Sequence, residues 1–325
     1  MTRFRFSARR VAAASILALA IPVAAAVAEE AAPAAPLWAF PANQPAKTPG
    51  TEPNQVLPGS KQKFTEVQIK DRTTAVDWFP TAHPAMPPAV KGGRPPVFAC
   101  GYCHLPQGLG RTESADVAGM PYPYMRQQLA DMRSGARKLM DSHYGPGGNM
   151  LATAKLTSAT DADEAAKYFS GLKFTTKIKV VETADVPASR PNAFVYEFEK
   201  DGKREPLGER IIEGPDDFEA FELRDPRVSF TAYVPVGAIA RGAALAKGDG
   251  AARPPCAGCH GDTLKGGLVG PPIAGRYPTG VFRQLYAFRT GARDGPGAAF
   301  MKPMVAGLSQ NDMIDLAAYV GSLKP

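Results

Sequence analysis

Apolar residues along this chain follow three different patterns. Near the C-terminus Met313, Leu316, Ala317 and Val320 recur at i, i+3, i+4 and i+7, which predicts one apolar face of a helix. Ser309 with Asp312 three residues on gives that helix a capping-box-like start, and Ser158 with Asp161 repeats the arrangement for a second helix. Further helices are predicted over roughly 122–134 and 279–290, closed by Gly135 and Gly291 as C-terminal caps. Between the helical stretches the period changes. "TKIKVVE" (176–182) alternates and is β-branched. "AFVYEFEKDGKREPLG" (193–208) puts Phe194, Tyr196 and Phe198 on one face and then offers Asp201-Gly202 as a hairpin turn. "RVSFTAYVPVG" (227–237) reads as a further strand. The third pattern is a continuous apolar run over 11–28.

That run follows Arg3, Arg5, Arg9 and Arg10 and ends in Ala26-Val27-Ala28. A basic start, an apolar middle and a small-residue exit predict a secretory signal peptide over 1–28. The run is long enough for an anchor, but it is mostly alanine and carries Pro22, which favours cleavage. No other segment is apolar enough to cross a bilayer, so no membrane span is expected after cleavage, although peripheral association with a membrane complex is compatible with the sequence. Residues 29–85, rich in Pro and Ala, are expected to form an extended N-terminal arm, with "DWFP" (77–80) as its anchor.

Composition narrows the function classes. The 325 residues hold 38 Lys+Arg and 31 Asp+Glu, a net charge of +7. Without the leader the balance is 34 against 31, and no basic block interleaves with aromatics. A nucleic-acid partner is therefore not expected. Export into an oxidising compartment would favour two disulfides among the four cysteines. Their spacing argues otherwise.

All four lie in "ACGYCHL" (99–105) and "PCAGCHG" (255–261). A shift of 156 residues superposes Cys100, Cys103 and His104 on Cys256, Cys259 and His260. The same shift aligns Gln128-Leu129 with Gln284-Leu285 and "RSGAR" (133–137) with "RTGAR" (289–293). The offset then becomes 151, pairing Met150 with Met301, Ser158 with Ser309 and Tyr168 with Tyr319. The chain thus carries an internal repeat. Each copy is read as a short helix bearing C-x-x-C-H, a loop, a second helix, a loop bearing the Met, and a final helix.

C-x-x-C-H is the attachment signature of c-type haem. Thiols at i and i+3 of one turn face the same way and can add to the two vinyl groups on one edge of the porphyrin. The next residue brings an imidazole to the iron. Zinc would need four ligands in one fold unit, and a thioredoxin-like pair would need a βαβ context. The expectation is two covalent haem c groups on Cys100, Cys103, Cys256 and Cys259. His104 and His260 are read as axial ligands. Methionine trans to histidine suits an electron carrier. The repeat register selects Met150 and Met301, each 18 residues before the aligned tyrosine, over Met304, which aligns with Thr153. His143 lies seven residues before Met150 and is a rival ligand in the first copy. His83 is read as a packing residue.

The two motifs, "GPPIAG" (270–275), the "SGAR"/"TGAR" helix ends and the C-terminal "LSQNDMIDLAAYVGSL" resemble the tandem diheme class I cytochromes c. The resemblance covers about 90–175 and 237–325. It implies a mainly α fold with two cytochrome c-like domains (86–175 and 237–325), joined by a β-containing connector (176–236) and preceded by the arm (29–85). In that family the loop proline holds the axial histidine's ring. Pro271 fits, whereas copy one reads "SADVAG" (114–119), so the support of His104 is expected to differ. The implied function is a periplasmic carrier of single electrons between a dehydrogenase or respiratory complex and an acceptor, with no catalytic residues. A diheme peroxidase-like enzyme with one open haem and a dedicated dehydrogenase subunit are the alternatives. A sulfur-oxidising diheme enzyme with a cysteine ligand would require a fifth Cys.

Overall fold

The computed structural model describes residues 1–2, 35–42, 55–93, 95–250 and 253–325. The leader predicted over 1–28 lies outside them from residue 3 on. The chain divides into two units, Met1–Pro33 and Ala34–Pro325.

The described part of the arm folds more than its composition predicts. Leu37–Ala39 form one 3-10 turn, and Phe40 behind it is buried against Tyr144 and Tyr286. Helix α1 (Glu66–Lys70) opens on a Thr65 capping box, and α2 (Pro88–Lys91) follows. Leu57, Ile69, Val76 and Trp78 make a small core of their own. Trp78, in the expected anchor, is buried and donates Nε1–H to the Leu223 carbonyl at 2.7 Å. Here alternating apolar residues are too sparse for a periodicity signal, yet they converge once α1 turns the chain back.

The first repeat follows with α3 (Cys100–His104), α4 (Tyr122–Ser134), α5 (Gly145–Leu156) and α6 (Ala159–Ser170). Gly135 caps α4 at φ 83°, and the Ser158 hydroxyl accepts the Asp161 N–H at 3.0 Å to start α6. Seven strands occupy the connector: β1 (Ile178–Glu182), β2 (Asp185–Pro187), β3 (Ser189–Asn192), β4 (Val195–Phe198), β5 (Arg204–Pro206), β6 (Ile212–Pro215) and β7 (Phe230–Val234). α7 (Phe218–Glu222) lies between the last two. β7 is central in a three-stranded sheet, parallel to β1 with Ile178 opposite Phe230 and antiparallel to β6 with Ile212 opposite Tyr233. The hairpin expected at Asp201-Gly202 is displaced. β4 pairs with β3, and β5 pairs with β2. The tight turn is instead Ala193-Phe194, both at positive φ, with Phe194 edge-on to Tyr144. Packing of that ring selects a turn that residue preferences alone disfavour.

The second repeat contains α8 (Ala238–Ala246), α9 (Ala257–His260), α10 (Pro278–Arg289), α11 (Ala298–Val305) and α12 (Gln310–Ser322). Both segments read as methionine loops are helical, α5 and α11. Pro146 sits in the first turn of α5, where its missing N–H costs nothing, and alanines follow. The largest apolar cluster joins α10 and α12 to Ile211, Ala232 and Val234 of the connector, to Ala39 and Phe40 of the arm, and to Tyr144.

The repeats meet about a local two-fold. Arg137 and Arg293 form an antiparallel bridge, with Lys138 N donating to Ala292 O at 2.6 Å and Asp294 N to Ala136 O at 2.7 Å. Gln128 Oε1 and Gln284 Oε1 each accept from both arginines, at 2.6–3.1 Å.

Candidate functional site

Each C-x-x-C-H forms one helical turn. In α3 the pair Cys100 and Cys103 is followed at once by His104, which ends the helix. In α9 the pair Cys256 and Cys259 spans the N-cap and body, and His260 ends it. None of the four cysteines is in a disulfide, and Cys259 is the exposed one. Burial and the neighbouring Cys103 push the Cys100 thiol up to about 12. Cys100 borders the first repeat's apolar cluster around Val90, Met125 and Phe169, and Cys256 borders that of the second.

The imidazoles share one arrangement. His104 Nδ1 pairs with the Ala115 carbonyl at 2.7 Å, and His260 Nδ1 with the Pro271 carbonyl at 2.8 Å. Ala115 and Pro271 are 156 residues apart, so they are repeat equivalents. The hydrogen-bond support is the same in both copies, because the contact is a backbone carbonyl that Ala115 supplies as well as Pro271. With Nδ1–H donated, Nε2 is the ring atom left for a metal. Burial lowers the pKa of both rings, more than the accepting carbonyls raise it, which keeps them in the neutral, ligating form. The donor set therefore fits a covalent haem in each repeat: two thiols on one face of a turn, then a neutral imidazole with Nε2 free. Among the described residues no group of three or more His, Cys, Asp or Glu converges as a metal cluster would.

The methionines are placed less symmetrically. Met301 is half-buried on α11 and packs against the main cluster, which Cys256 also borders. Met150 is half-buried on α5, while Met86, Met120 and Met125 are the methionines in the cluster beside Cys100. Met304 is half-buried one turn beyond Met301. His143 is exposed beside Asp141, at 3.3 Å. His83 ties the arm to the first repeat, with Nε2 3.2 Å from Asp77 Oδ1 and Nδ1 3.1 Å from the Tyr168 hydroxyl.

Sequence reasoning missed two residues beside the first motif. Arg276, from the second repeat, donates to Asp116 Oδ1 at 2.8 Å, next to the carbonyl that holds His104. Arg224, from the connector, lies 3.4 Å over the ring of Tyr102 inside the motif itself. Neither belongs to a repeat-matched pair, so the register carried no signal for them.

Comparison with known proteins finds similarity to cytochromes c. The family model described as cytochrome c matches residues 239–324. Cytochrome c-554(548) of Halomonas halodenitrificans is 40% identical over 68 residues, covering 21% of this chain and 82% of that protein. Cytochrome c-554(547) of Halothiobacillus neapolitanus is 38% identical over 77 residues, or 21% and 85%. Cytochrome c4 of Pseudomonas aeruginosa is 25% identical over 237 residues, or 71% and 87%. Among solved structures, cytochrome c4 of Pseudomonas stutzeri superposes at a TM-score of 0.44 with 21% identity, covering 69% of this chain and 93% of the other. A thiosulfate dehydrogenase chain of Marichromatium purpuratum gives 0.45 with 24% identity, and this chain spans 37% of its length.

Proposed function

The chain belongs to the cytochrome c family, as a tandem diheme class I member that binds two haem c groups covalently, and on that premise we propose that it is a periplasmic carrier of single electrons, working between a dehydrogenase or respiratory complex and an acceptor. Each haem supplies an iron that exchanges one electron without bond chemistry. The observation that carries the reading is the doubled C-x-x-C-H turn with equivalent carbonyls on each imidazole Nδ1. Cys100, Cys103, Cys256 and Cys259 fix the two groups. His104 and His260 would each offer Nε2 to an iron, and Met150 and Met301 would offer thioether sulfurs. Held by these residues, each iron would have no open place for a substrate and would reorganise little on electron exchange. Location in the periplasm accords with the leader pattern, and among the described residues no helix is long and apolar enough to cross a membrane.

The test is the visible spectrum of the oxidised holoprotein. Methionine on ferric iron gives a long-wavelength charge-transfer band, and two equivalents of it are expected. Met150→Ala and Met301→Ala should each remove one equivalent. If Met304→Ala removes the second equivalent instead, or if the first follows Met120 or Met86, the register assignment is wrong. A high-spin, peroxide-reactive haem in the native chain would sink the carrier reading in favour of a peroxidase-like enzyme.

A further inference from the structure

The chain treats its two attachment turns differently. Equivalent residues are 156 apart, so the turns can be compared position by position. Between the cysteines copy one reads Gly101-Tyr102 and copy two Ala257-Gly258. A Cβ on Gly101 would lie 2.7 Å from the Val90 carbonyl oxygen of α2 and 2.9 Å from Ala75 Cβ in the arm. Tyr102 is buried under Arg224, whose Nη1 also donates to the Tyr102 carbonyl at 2.6 Å. Gly258, its equivalent, is exposed, and nothing lies within 4 Å of where its Cβ would be.

The contrast continues in the loop after the histidine. Thr112 is 5% exposed and the Glu113 side chain 10%; their equivalents Leu268 and Val269 are 107% and 61% exposed. Three elements close over the first loop. Arg111 stacks 3.5 Å above Phe221 of α7, Arg283 of α10 donates to the Thr112 carbonyl at 2.8 Å, and the Tyr144 hydroxyl donates to the Glu113 carbonyl at 3.3 Å. Arg224 stands at φ 60°, a left-handed conformation that a non-glycine residue holds only when its surroundings fix it. Its N–H donates to the Phe221 carbonyl at 3.0 Å, and the preceding carbonyl, Leu223, accepts the hydrogen bond from Trp78. The arm thus pins the connector turn that covers the first motif.

We propose that the arm and connector are a built-in cap on the attachment face of the first repeat, so that redox partners meet the chain at the attachment face of the second. The inference rests on the diheme carrier reading. For each electron passed to a one-electron acceptor at the second face, one electron moves from the first site to the second, and no bond forms or breaks. The partner is a redox protein that presents an apolar contact patch. Leu268 and Val269 form an exposed apolar tip beside exposed Cys259. The exposed charges of the neighbouring loops nearly balance, Lys247 and Lys265 against Asp249 and Asp262, so the rim offers little net field for steering.

The test uses the holoprotein with both haems, oxidised in a stopped-flow instrument by tris(phenanthroline)cobalt(III). Gly258→Trp fills the open space of the second face. It should slow both haems together, by about tenfold, with both methionine bands and both midpoint potentials unchanged. Adding Tyr102→Gly and Arg224→Ala should return a fast phase to one haem. If Gly258→Trp slows only half of the absorbance change, the first site is reached directly and the cap is wrong, while the carrier reading stands. Missing methionine bands in the native chain would count against the carrier reading instead. Hydroxyl-radical footprinting of the native holoprotein gives an answer that depends on no variant. Leu268 and Val269 should be modified and Tyr102 protected; equal modification of Tyr102 overturns the cap.

Discussion

Arg276 originates in the second repeat and ends in the first. Besides Asp116 Oδ1 it reaches the Asp116 and Ala118 carbonyls at 3.3 and 3.4 Å, and it lies 3.7 Å from the Phe174 ring centroid. Both members of the ion pair are buried. Burial pushes the Asp116 carboxyl up, and Arg276 pulls it back. Removing one partner strands the other charge, so Arg276→Met should cost about 3–5 kcal/mol in urea denaturation. The double variant with Asp116→Leu should recover much of that loss. Glu213 makes a pH-dependent case. Its Oε2 accepts the Thr279 N–H at 2.9 Å in the first turn of α10, and its Oε1 has no partner. Burial raises its pKa from 4.5 to about 7, opposed by the Thr279 N–H and by Arg283. The folded chain therefore holds an extra proton between those values, and stability falls as pH rises through that window. Glu213→Gln should flatten this part of the profile and melt above the native chain at pH 8, as thermal denaturation from pH 5 to 8 would register. Equal slopes for the two proteins would exclude Glu213 as the source.

Elements explain why the repeats look alike in sequence but enter their motifs differently. α8 runs for nine residues before the second motif and packs on α12, while the corresponding α2 has four and packs on α6. Pro84, Pro87 and Pro88 remove the N–H groups a longer helix would use, so copy one enters its motif from the arm. The α8–α12 crossing depends on Gly242. A Cβ there would lie 2.0 Å from the Asp315 carbonyl oxygen and 2.8 Å from Tyr319 Cβ. Alanine would favour the isolated helix by about 1 kcal/mol, yet Gly242→Ala should lower stability by about 1–3 kcal/mol, because the helices must separate. Arg241, which grips Asp315 through Nε and Nη2 at 2.7 and 2.8 Å, would be pulled out of register with it. A variant as stable as the native chain in guanidinium would mean that the crossing can relax. This scale also separates what the sequence reveals from what it hides. Caps such as Ser158, Gly135 and Ser309 are local chemistry, and the boundaries they predict for α4, α6 and α12 agree with the structure. α8 escapes a periodicity reading because Gly242 interrupts it. α5 and α11 escape because Gly145, Pro146 and Pro303 resemble loop residues until their positions within the helix are known.

At the scale of the molecule, the repeat and its four cysteines are legible because covalent attachment dictates residue type and spacing. The contacts between copies are not, since a register aligns equivalent residues without saying that they touch. The local two-fold is the main example. Arg137 and Arg293 lie side by side, largely buried, and hydrogen-bond to the neutral acceptors Gln128 and Gln284, with Tyr124 adding an acceptor at 3.2 Å. Burial and the facing Arg293 lower the Arg137 pKa to about 10. Each glutamine oxygen serves both guanidinium groups, so losing one glutamine leaves donors on both sides of the interface unsatisfied. Gln128→Leu and Gln284→Leu should each cost about 2–3 kcal/mol. The double variant should cost less than the two losses added, because the second substitution removes acceptors from arginines already displaced. The position of the cluster gives a sharper expectation. It lies where the copies meet, so weakening it should uncouple their unfolding. Calorimetry of the native holoprotein should then give one transition, and the double variant two, the copy with the large shared core melting later. A single transition at an unchanged midpoint in the double variant would mean that the shared apolar cluster, which runs from Phe40 through Tyr144 to Phe282, joins the copies without help from the arginines.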